Sequence, residues 1–304
     1  MLRQVILAAS RSATTRRIVE HAPVTRSVVH RFVSGASTEE AVKASTGLIA
    51  SGRTVTIDHL GEDTVEQGQA ETTTKAYLVL LEQLQDAGLT TGGKAEVSVK
   101  LSALGQAIDQ GLALANATTI CEAADRAGTT VTLDMEDHTT TDSTLEVLRE
   151  LRRDFPSTGA VVQSYLRRTE ADCKDLKGSR VRLCKGAYKE PASVAFQSRS
   201  EVDRSYVRCL KVLMAGDGYP MVASHDPRMI AIAADLAQSR RKGTYEYQML
   251  FGIRPAEQER LAASGETVRV YVPYGDEWYG YFMRRLAERP ANVAFFLRAM
   301  ASKG

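Results

Sequence analysis

No uninterrupted apolar run in the 304-residue sequence approaches the roughly 18 residues that span a bilayer, which excludes a helical membrane protein. Cysteine is scarce, at Cys121, Cys173, Cys184 and Cys209 only. None forms a C-x-x-C pair or lies at zinc-finger spacing from a histidine, so the pattern reads as four reduced thiols in a cytosolic protein. Internal repeats and low-complexity segments are missing too. With 43% hydrophobic and 25% charged residues, the chain has an ordinary globular composition. It is long enough to bury a large core without disulfides or metal, which excludes disorder and a small stapled scaffold.

The net charge of +2 hides an asymmetry. Residues 1–35 carry six arginines (Arg3, Arg11, Arg16, Arg17, Arg26 and Arg31) against the single acid Glu20, a net +5. No small-residue cleavage pattern follows an apolar core, so a secretory signal is not indicated. Two readings stay open: an organellar presequence, and a solvated helical arm that touches anionic lipid. No interleaving of basic and aromatic residues follows, which argues against nucleic-acid binding.

Hydrophobic periodicity predicts a helical region through about residue 50 and eight strands after it. The strands are expected at 54–58, 95–101, 130–135, 160–165, 181–186, 219–224, 244–250 and 268–272, and helical stretches separate most of them. Helices are clear at 65–85, 142–155, 227–239 and 256–263. In the second of these, Leu145, Leu148, Leu151 and Phe155 form one stripe. Eight strands alternating with helices predict an α/β fold of the (β/α)8 barrel type. The expected organisation is an N-terminal helical arm, residues 1–50, and a catalytic barrel, residues 51–304.

In such a barrel the apolar strand face packs on helices, and functional groups gather at the C-terminal strand ends. Alternation then filters candidates. Val97, Val99 and Leu101 leave Ser98 and Lys100 on the other face; Val131, Leu133 and Met135 leave Thr132, Asp134 and Glu136. Val181 and Leu183 leave Arg182 and Cys184, and Val268, Val270 and Val272 leave Arg269 and Tyr271. Lys100, Asp134, Arg182 and Tyr271 are therefore expected to meet each other or a polar ligand, since a buried unpaired charge costs several kcal/mol.

The segment 276–290 reads as a helix, with acids at its start and Arg289-Pro290 at its end. Tyr281, Arg284, Arg285 and Glu288 share one face, and Tyr279, Phe282, Met283 and Leu286 form the opposite, apolar one. Two adjacent guanidinium groups beside a tyrosine suit a carboxylate or phosphate; a solvated charged face is the plainer alternative.

Eight stretches resemble the flavin-dependent proline dehydrogenases, in family order from about residue 54 to 297. They are Ser98-Val-Lys-Leu-Ser-Ala-Leu-Gly105, Leu133-Asp-Met-Glu136, Val162-Gln-Ser-Tyr165, Val181-Arg-Leu-Cys-Lys-Gly-Ala-Tyr188, Ala223-Ser-His225, Tyr245-Glu-Tyr-Gln-Met-Leu-Phe-Gly252, Val268-Arg-Val-Tyr-Val-Pro273 and Tyr281-Phe-Met-Arg-Arg-Leu-Ala-Glu288. The resemblance implies a distorted (β/α)8 barrel that holds FAD over its strand ends, with the last helix across the top. No Rossmann fingerprint is needed, because this family does not use that fold for its flavin. Without a second large domain, the chain is similar to the monofunctional bacterial type.

The chemistry so implied is oxidation of L-proline to Δ1-pyrroline-5-carboxylate, with hydride passing from the ring carbon next to nitrogen to flavin N5. Lys100, Arg284 and Arg285 resemble the cations that hold the proline carboxylate, and Tyr271 and Tyr281 the walls of its pocket. Arg182 matches the cation near flavin N5, and Asp134 the acid that organises this cluster. Gln163, Lys185, Gly186, Ala187, Tyr188, Ser224, His225, Gln248 and Leu250 fall on positions that contact FAD, Lys185 matching the pyrophosphate charge, and Glu288 matches the helix carboxylate. The resemblance further implies a quinone acceptor, a pyrroline-5-carboxylate dehydrogenase as partner, and a cytoplasmic enzyme in weak contact with the inner membrane face. Cys184, Lys189 and Asp226 depart from the family pattern; Lys189 and Asp226 put the adenine and ribose pocket in doubt.

Three alternatives remain on the residues alone. Lys100 or Lys185 could serve a Schiff-base aldolase. Asp134, Glu136, Asp137 and His138 could serve a metal hydrolase, although consecutive residues at a strand end diverge. A flavin-binding protein without catalysis is the third.

Overall fold

The computed structural model describes residues 29–288, and of residues 286–288 the backbone alone. Eight parallel strands close into a barrel in chain order, as the alternation predicts. They are β1 Thr54–His59, β2 Ala95–Val99, β3 Val131–Leu133, β4 Gly159–Gln163, β5 Arg180–Cys184, β6 Tyr219–Ala223, β7 Glu246–Leu250 and β8 Val268–Tyr274. Helix α1, Thr38–Ala50, precedes β1. One helix then follows each strand: α2 Gln67–Asp86, α3 Gln110–Arg126, α4 Thr141–Asp154, α5 Thr169–Leu176, α6 Arg199–Ala215, α7 Pro227–Leu236, α8 Pro255–Ala263 and α9 Trp278–Glu288.

Local chemistry sets these boundaries. Ser37 with Glu40 and Ser198 with Glu201 form reciprocal capping boxes that start α1 and α6. Asp226 caps α7, whose first residue is Pro227. β2 to β6 stop one or two residues before the expected end, because side-chain alternation continues in extended backbone outside the ladder, whereas β1 and β8 run one and two residues past it and the starts of β3, β4, β5 and β7 shift by one or two. Thus Asp134 lies just beyond β3, and residues 101–104 form a 3-10 turn instead of prolonging β2.

The outward faces are apolar: Val97, Val99, Val131, Leu133, Val181, Leu183, Val268, Val270 and Val272 are all buried between sheet and helices. The inward faces are not. Thr56, Asp58, Glu96, Ser98, Thr132, Arg182, Glu246, Gln248 and Arg269 are buried inside the barrel, where branched apolar residues usually dominate. Buried polar groups need partners, and this interior supplies them internally.

Most of the expected arm, residues 1–28, lies outside the described residues. Its C-terminal part belongs to the barrel surface: α1 packs on α2, β1 and β8. Residues 29–36 cross the C-terminal end of β8, where Ser34 donates backbone N–H and Oγ to Pro273 O and Gly275 N–H donates to Gly35 O. Val29, Phe32 and Val33 pack with Leu60, Tyr279, Phe282 and Met283, which seats α9 across the barrel top. Gly252 is required here, since a Cβ would collide with the Arg31 carbonyl.

Candidate active site

A cleft of about 930 Å³ opens over the C-terminal strand ends, the face where such barrels carry chemistry. Lys100, Asp134, Arg182 and Tyr271, singled out by alternation, all line it, together with Tyr281, Arg284 and Arg285 from α9. Arg182 is the hub. Its Nη1 donates to Asp134 Oδ1 at 2.5 Å and Ser98 Oγ at 2.9 Å, and its Nε to Gln248 Oε1 at 2.5 Å. The guanidinium lies 5.4 Å from the centroid of the Tyr271 ring, and Tyr271 Oη donates to Asp134 Oδ2 at 2.7 Å. Burial, then Asp134 and Asp58, push the Tyr271 hydroxyl well above its ordinary pKa, so it remains a donor.

Lys100 donates to both oxygens of Asp58, at 2.7 and 2.6 Å. Burial works against its charge, but Asp58, Asp134 and Glu62 hold its pKa above the ordinary lysine value. It is therefore an ammonium with a third donor available to a ligand. Across the mouth, Arg284 reaches Glu62 with both terminal nitrogens, Nη1 at 3.0 Å from Oε2. This guanidinium thus already grips a carboxylate at two points. The Arg285 guanidinium lies 5.2 Å from the Tyr281 ring centroid. Tyr279, Phe282 and Met283 form the buried face of α9, as its spacing predicts, while Arg284 and Arg285 turn to the cleft and not to open solvent.

The far end of the cleft is built by the β5–α6 loop and the ends of β6 and β7. Gln163, Lys185, Gly186, Ala187, Tyr188, Ser224, His225, Gln248 and Leu250 all line it. Gly186 has φ 107°, and a Cβ there would run into the Tyr165 ring, so the loop lies flat against that ring and leaves backbone exposed to a ligand. His225 Nε2 accepts the Leu250 N–H at 2.9 Å, which fixes the neutral ring with its proton on Nδ1. Lys185 donates to Asp203 at 2.5 Å and Asp226 at 2.9 Å, and Arg228 binds the same two carboxylates. The Lys185 charge is thereby balanced; Lys189 and Arg199 line the same cleft. The volume is at the upper end of small-molecule sites and the walls suit an elongated, dinucleotide-sized ligand. Glu288 lies outside the residues whose side chains are described.

Asp58, Glu62 and Thr56, which complete these contacts, were not among the sequence candidates. Asp58 and Thr56 follow from the same alternation applied to β1; Glu62 sits in a loop with no periodic signal. Glu136, by contrast, turns aside: its carboxylate takes the Ser102 N–H at 3.2 Å and Oγ–H at 2.6 Å, and burial pushes its pKa up to about 7.

The geometry counts against two alternatives. A Schiff base needs a neutral amine, whereas Lys100 is held charged and Lys185 is clasped by two carboxylates. Asp134, Glu136, Asp137 and His138 turn to four separate partners, Arg182, Ser102, the Thr139 N–H and Glu190.

A family profile described as proline dehydrogenase matches residues 41–298. Proline dehydrogenase 1 of Bacillus subtilis (strain 168) is 38% identical over 308 residues, covering 100% of both chains. The proline dehydrogenase of Deinococcus radiodurans is 40% identical over 282 residues, 90% of each chain. Among solved structures, proline utilization A from Bdellovibrio bacteriovorus inactivated by N-propargylglycine superposes with a TM-score of 0.80 at 26% identity, over 86% of this chain and 32% of that one. A mutant of proline utilization A from Bradyrhizobium japonicum, with TM-score 0.73 and 22% identity over 88% of this chain and 31% of that one, shares the fold.

Proposed function

The chain belongs to the proline dehydrogenase family, and from that premise we propose that it oxidises L-proline to Δ1-pyrroline-5-carboxylate with FAD as its resident cofactor. One observation carries this reading: the cations Lys100, Arg284 and Arg285 and the rings of Tyr271 and Tyr281 line the same cleft as Arg182, Gln248 and the flat Lys185–Tyr188 loop. FAD, when bound, would supply the hydride acceptor for the ring carbon next to nitrogen.

This chain's residues would supply binding, orientation and charge. The Arg284 fork grips Glu62 in the way it would grip a substrate carboxylate, with Arg285 and the third Lys100 donor beside it. Tyr271 and Tyr281 would flank the ring, and the Glu62–Arg284 pair would cover the mouth and exclude water. Arg182, fixed by Asp134, Ser98 and Gln248, places a preorganised cation at the centre of the cleft, where negative charge would accumulate on reduction. Gly186, Ala187 and the ends of β6 and β7 would receive the dinucleotide, with pyrophosphate charge met by Lys189 and Arg199 because Lys185 is already balanced.

Anaerobic addition of L-proline to FAD-loaded protein should bleach the visible flavin band. A protein that takes up no FAD, or a flavoprotein whose band ignores proline, would sink the assignment. The product is a substrate for a pyrroline-5-carboxylate dehydrogenase, and electrons would pass on to membrane quinone. No helix among the described residues is long and apolar enough to cross a membrane. The net +5 of residues 1–35 supports salt-sensitive, peripheral attraction of this cytoplasmic enzyme to anionic lipid. Vesicle sedimentation equal at low and high salt would refute that account.

A further inference from the structure

Gln248 joins the floor of the barrel to the cleft. Its amide oxygen accepts from Arg182 Nε at 2.5 Å and its amide nitrogen donates to Glu246 Oε1 at 2.5 Å. The two ends of a glutamine amide are nearly alike in shape, so its sense is set by its partners. Here the partners leave one choice. A guanidinium only donates. Glu246 only accepts, because Arg269 and Arg180 overcome the effect of burial and hold its pKa below the usual carboxylate value.

The chain of contacts continues downward with the same strict alternation. Arg269 Nε donates to Glu246 Oε1 at 2.8 Å, and Tyr219 Oη donates to Glu246 Oε2 at 3.1 Å. Arg269 is in turn tied to the backbone, with Nη1 at 2.8 Å from Val55 O and Nη2 at 3.1 Å from Gly93 O. Orientation is thus passed from backbone to Arg269, to Glu246, to Gln248 and to Arg182. Were the amide reversed, its NH2 would face the Arg182 Nε–H, donor against donor. Arg182 would then lose its β7 partner and be held by Asp134, Ser98 and a long contact to Thr56.

We propose that Glu246, backed by Arg269, is a positioning residue for this enzyme: it fixes the sense of the Gln248 amide and through it the plane of the Arg182 guanidinium. Neither Glu246 nor Arg269 lines the cleft. The inference rests on the FAD-dependent reading, since Arg182 is assigned there to the site of charge accumulation.

The test compares FAD-loaded wild type with Glu246→Gln and with the double variant Glu246→Gln/Arg269→Met. The single variant leaves the buried Arg269 guanidinium with only the more distant Glu96 opposite it and can fail to fold; the double variant removes one charge of each sign. The control is Arg168→Met/Asp172→Asn, which removes an ion pair at the start of α5 that touches none of Glu246, Arg269, Gln248 and Arg182. The Glu246 variants should bind FAD stoichiometrically with KM for proline within about twofold of wild type, while kcat falls about tenfold, the scale of losing an outer partner of a site residue. The flavin's two-electron reduction should become about tenfold less favourable, a midpoint shift of ~30 mV. The control pair should leave potential and kcat near wild type. Unchanged potential in whichever Glu246 variant folds, or an equal shift in the control, overturns the proposal. A wild type that takes up no FAD would instead overturn the cofactor reading and leave the floor geometry as it stands.

Discussion

At the floor of the barrel, Arg269 is enclosed by Glu246, Glu96 and three backbone carbonyls, with its side chain 5% exposed. At the mouth, Arg284 pairs with Glu62 among the described residues, and both side chains are 23% exposed. Both regions set arginine against carboxylate, yet they use the pairs differently. Each nitrogen of Arg269 donates inside the protein, so this floor charge holds the barrel together and orients what lies above. Mouth charges keep a face toward the cleft, where a ligand can compete for them. The same ion-pair chemistry is therefore structural in one place and available in the other, and exposure to the cleft decides which.

The sharpest way to break this comparison is Arg269→Met. It leaves Glu246 buried and opposed only from a distance, so stability should fall by about 3–5 kcal/mol, the usual cost of stranding one member of a buried pair. Chemical denaturation checks it. A loss below about 1 kcal/mol, the range of a surface pair, would show that the floor is not what holds this charge set.

Arg284→Met should behave in the opposite way. Stability should change by less than about 1 kcal/mol, because Glu62 is left partly solvated. By contrast kcat/KM for proline should drop by about 2–4 kcal/mol, the scale of losing a charge-assisted carboxylate contact. FAD content should stay at the wild-type level. Arg284→Lys should fall between the two, keeping charge but losing the planar fork. Normal proline kinetics in the Met variant would return the α9 arginines to an ordinary charged face.

The difference between floor and mouth also separates what the residues disclose from what they do not. Period-two alternation placed Lys100, Asp134, Arg182 and Tyr271 on the interior face, and all four line one cleft. The same rule, carried back two or four residues along each strand, reaches Arg180, Arg269 and Glu96, and from Gln248 it reaches Glu246. Which of these meets which is another matter. Arg182 on β5 reaches Gln248 on β7 and Ser98 on β2, across a barrel whose stagger and tilt no local pattern encodes. Glu62 was invisible for a different reason: its loop has no periodicity, and Asp63 beside it adopts φ 55° under tertiary contacts with Ser102. Lys185 lines the cleft, but its two carboxylate partners arrive from α6 and the start of α7, distant in sequence.

The smallest effect comes from Tyr271, which stands between the two regions: its ring faces Arg182 and its hydroxyl holds Asp134. These two roles can be separated. Tyr271→Ser removes the ring wall, so a hydroxylated proline should lose less relative to proline. The gap in kcat/KM between the two substrates should narrow by roughly 1–3 kcal/mol, the scale of one pocket contact. Tyr271→Phe keeps the wall and loses only the bond to Asp134. Its substrate gap should match wild type, while kcat for proline falls modestly as Asp134 loses one of its three donors. The ratio of kcat/KM for proline and hydroxyproline, measured in all three proteins, decides between ring and hydroxyl. If Phe narrows the gap as much as Ser, then the hydroxyl's hold on Asp134 shapes the pocket and the ring does not. If neither variant moves it, Tyr271 belongs with the floor, as a structural member of the interior network.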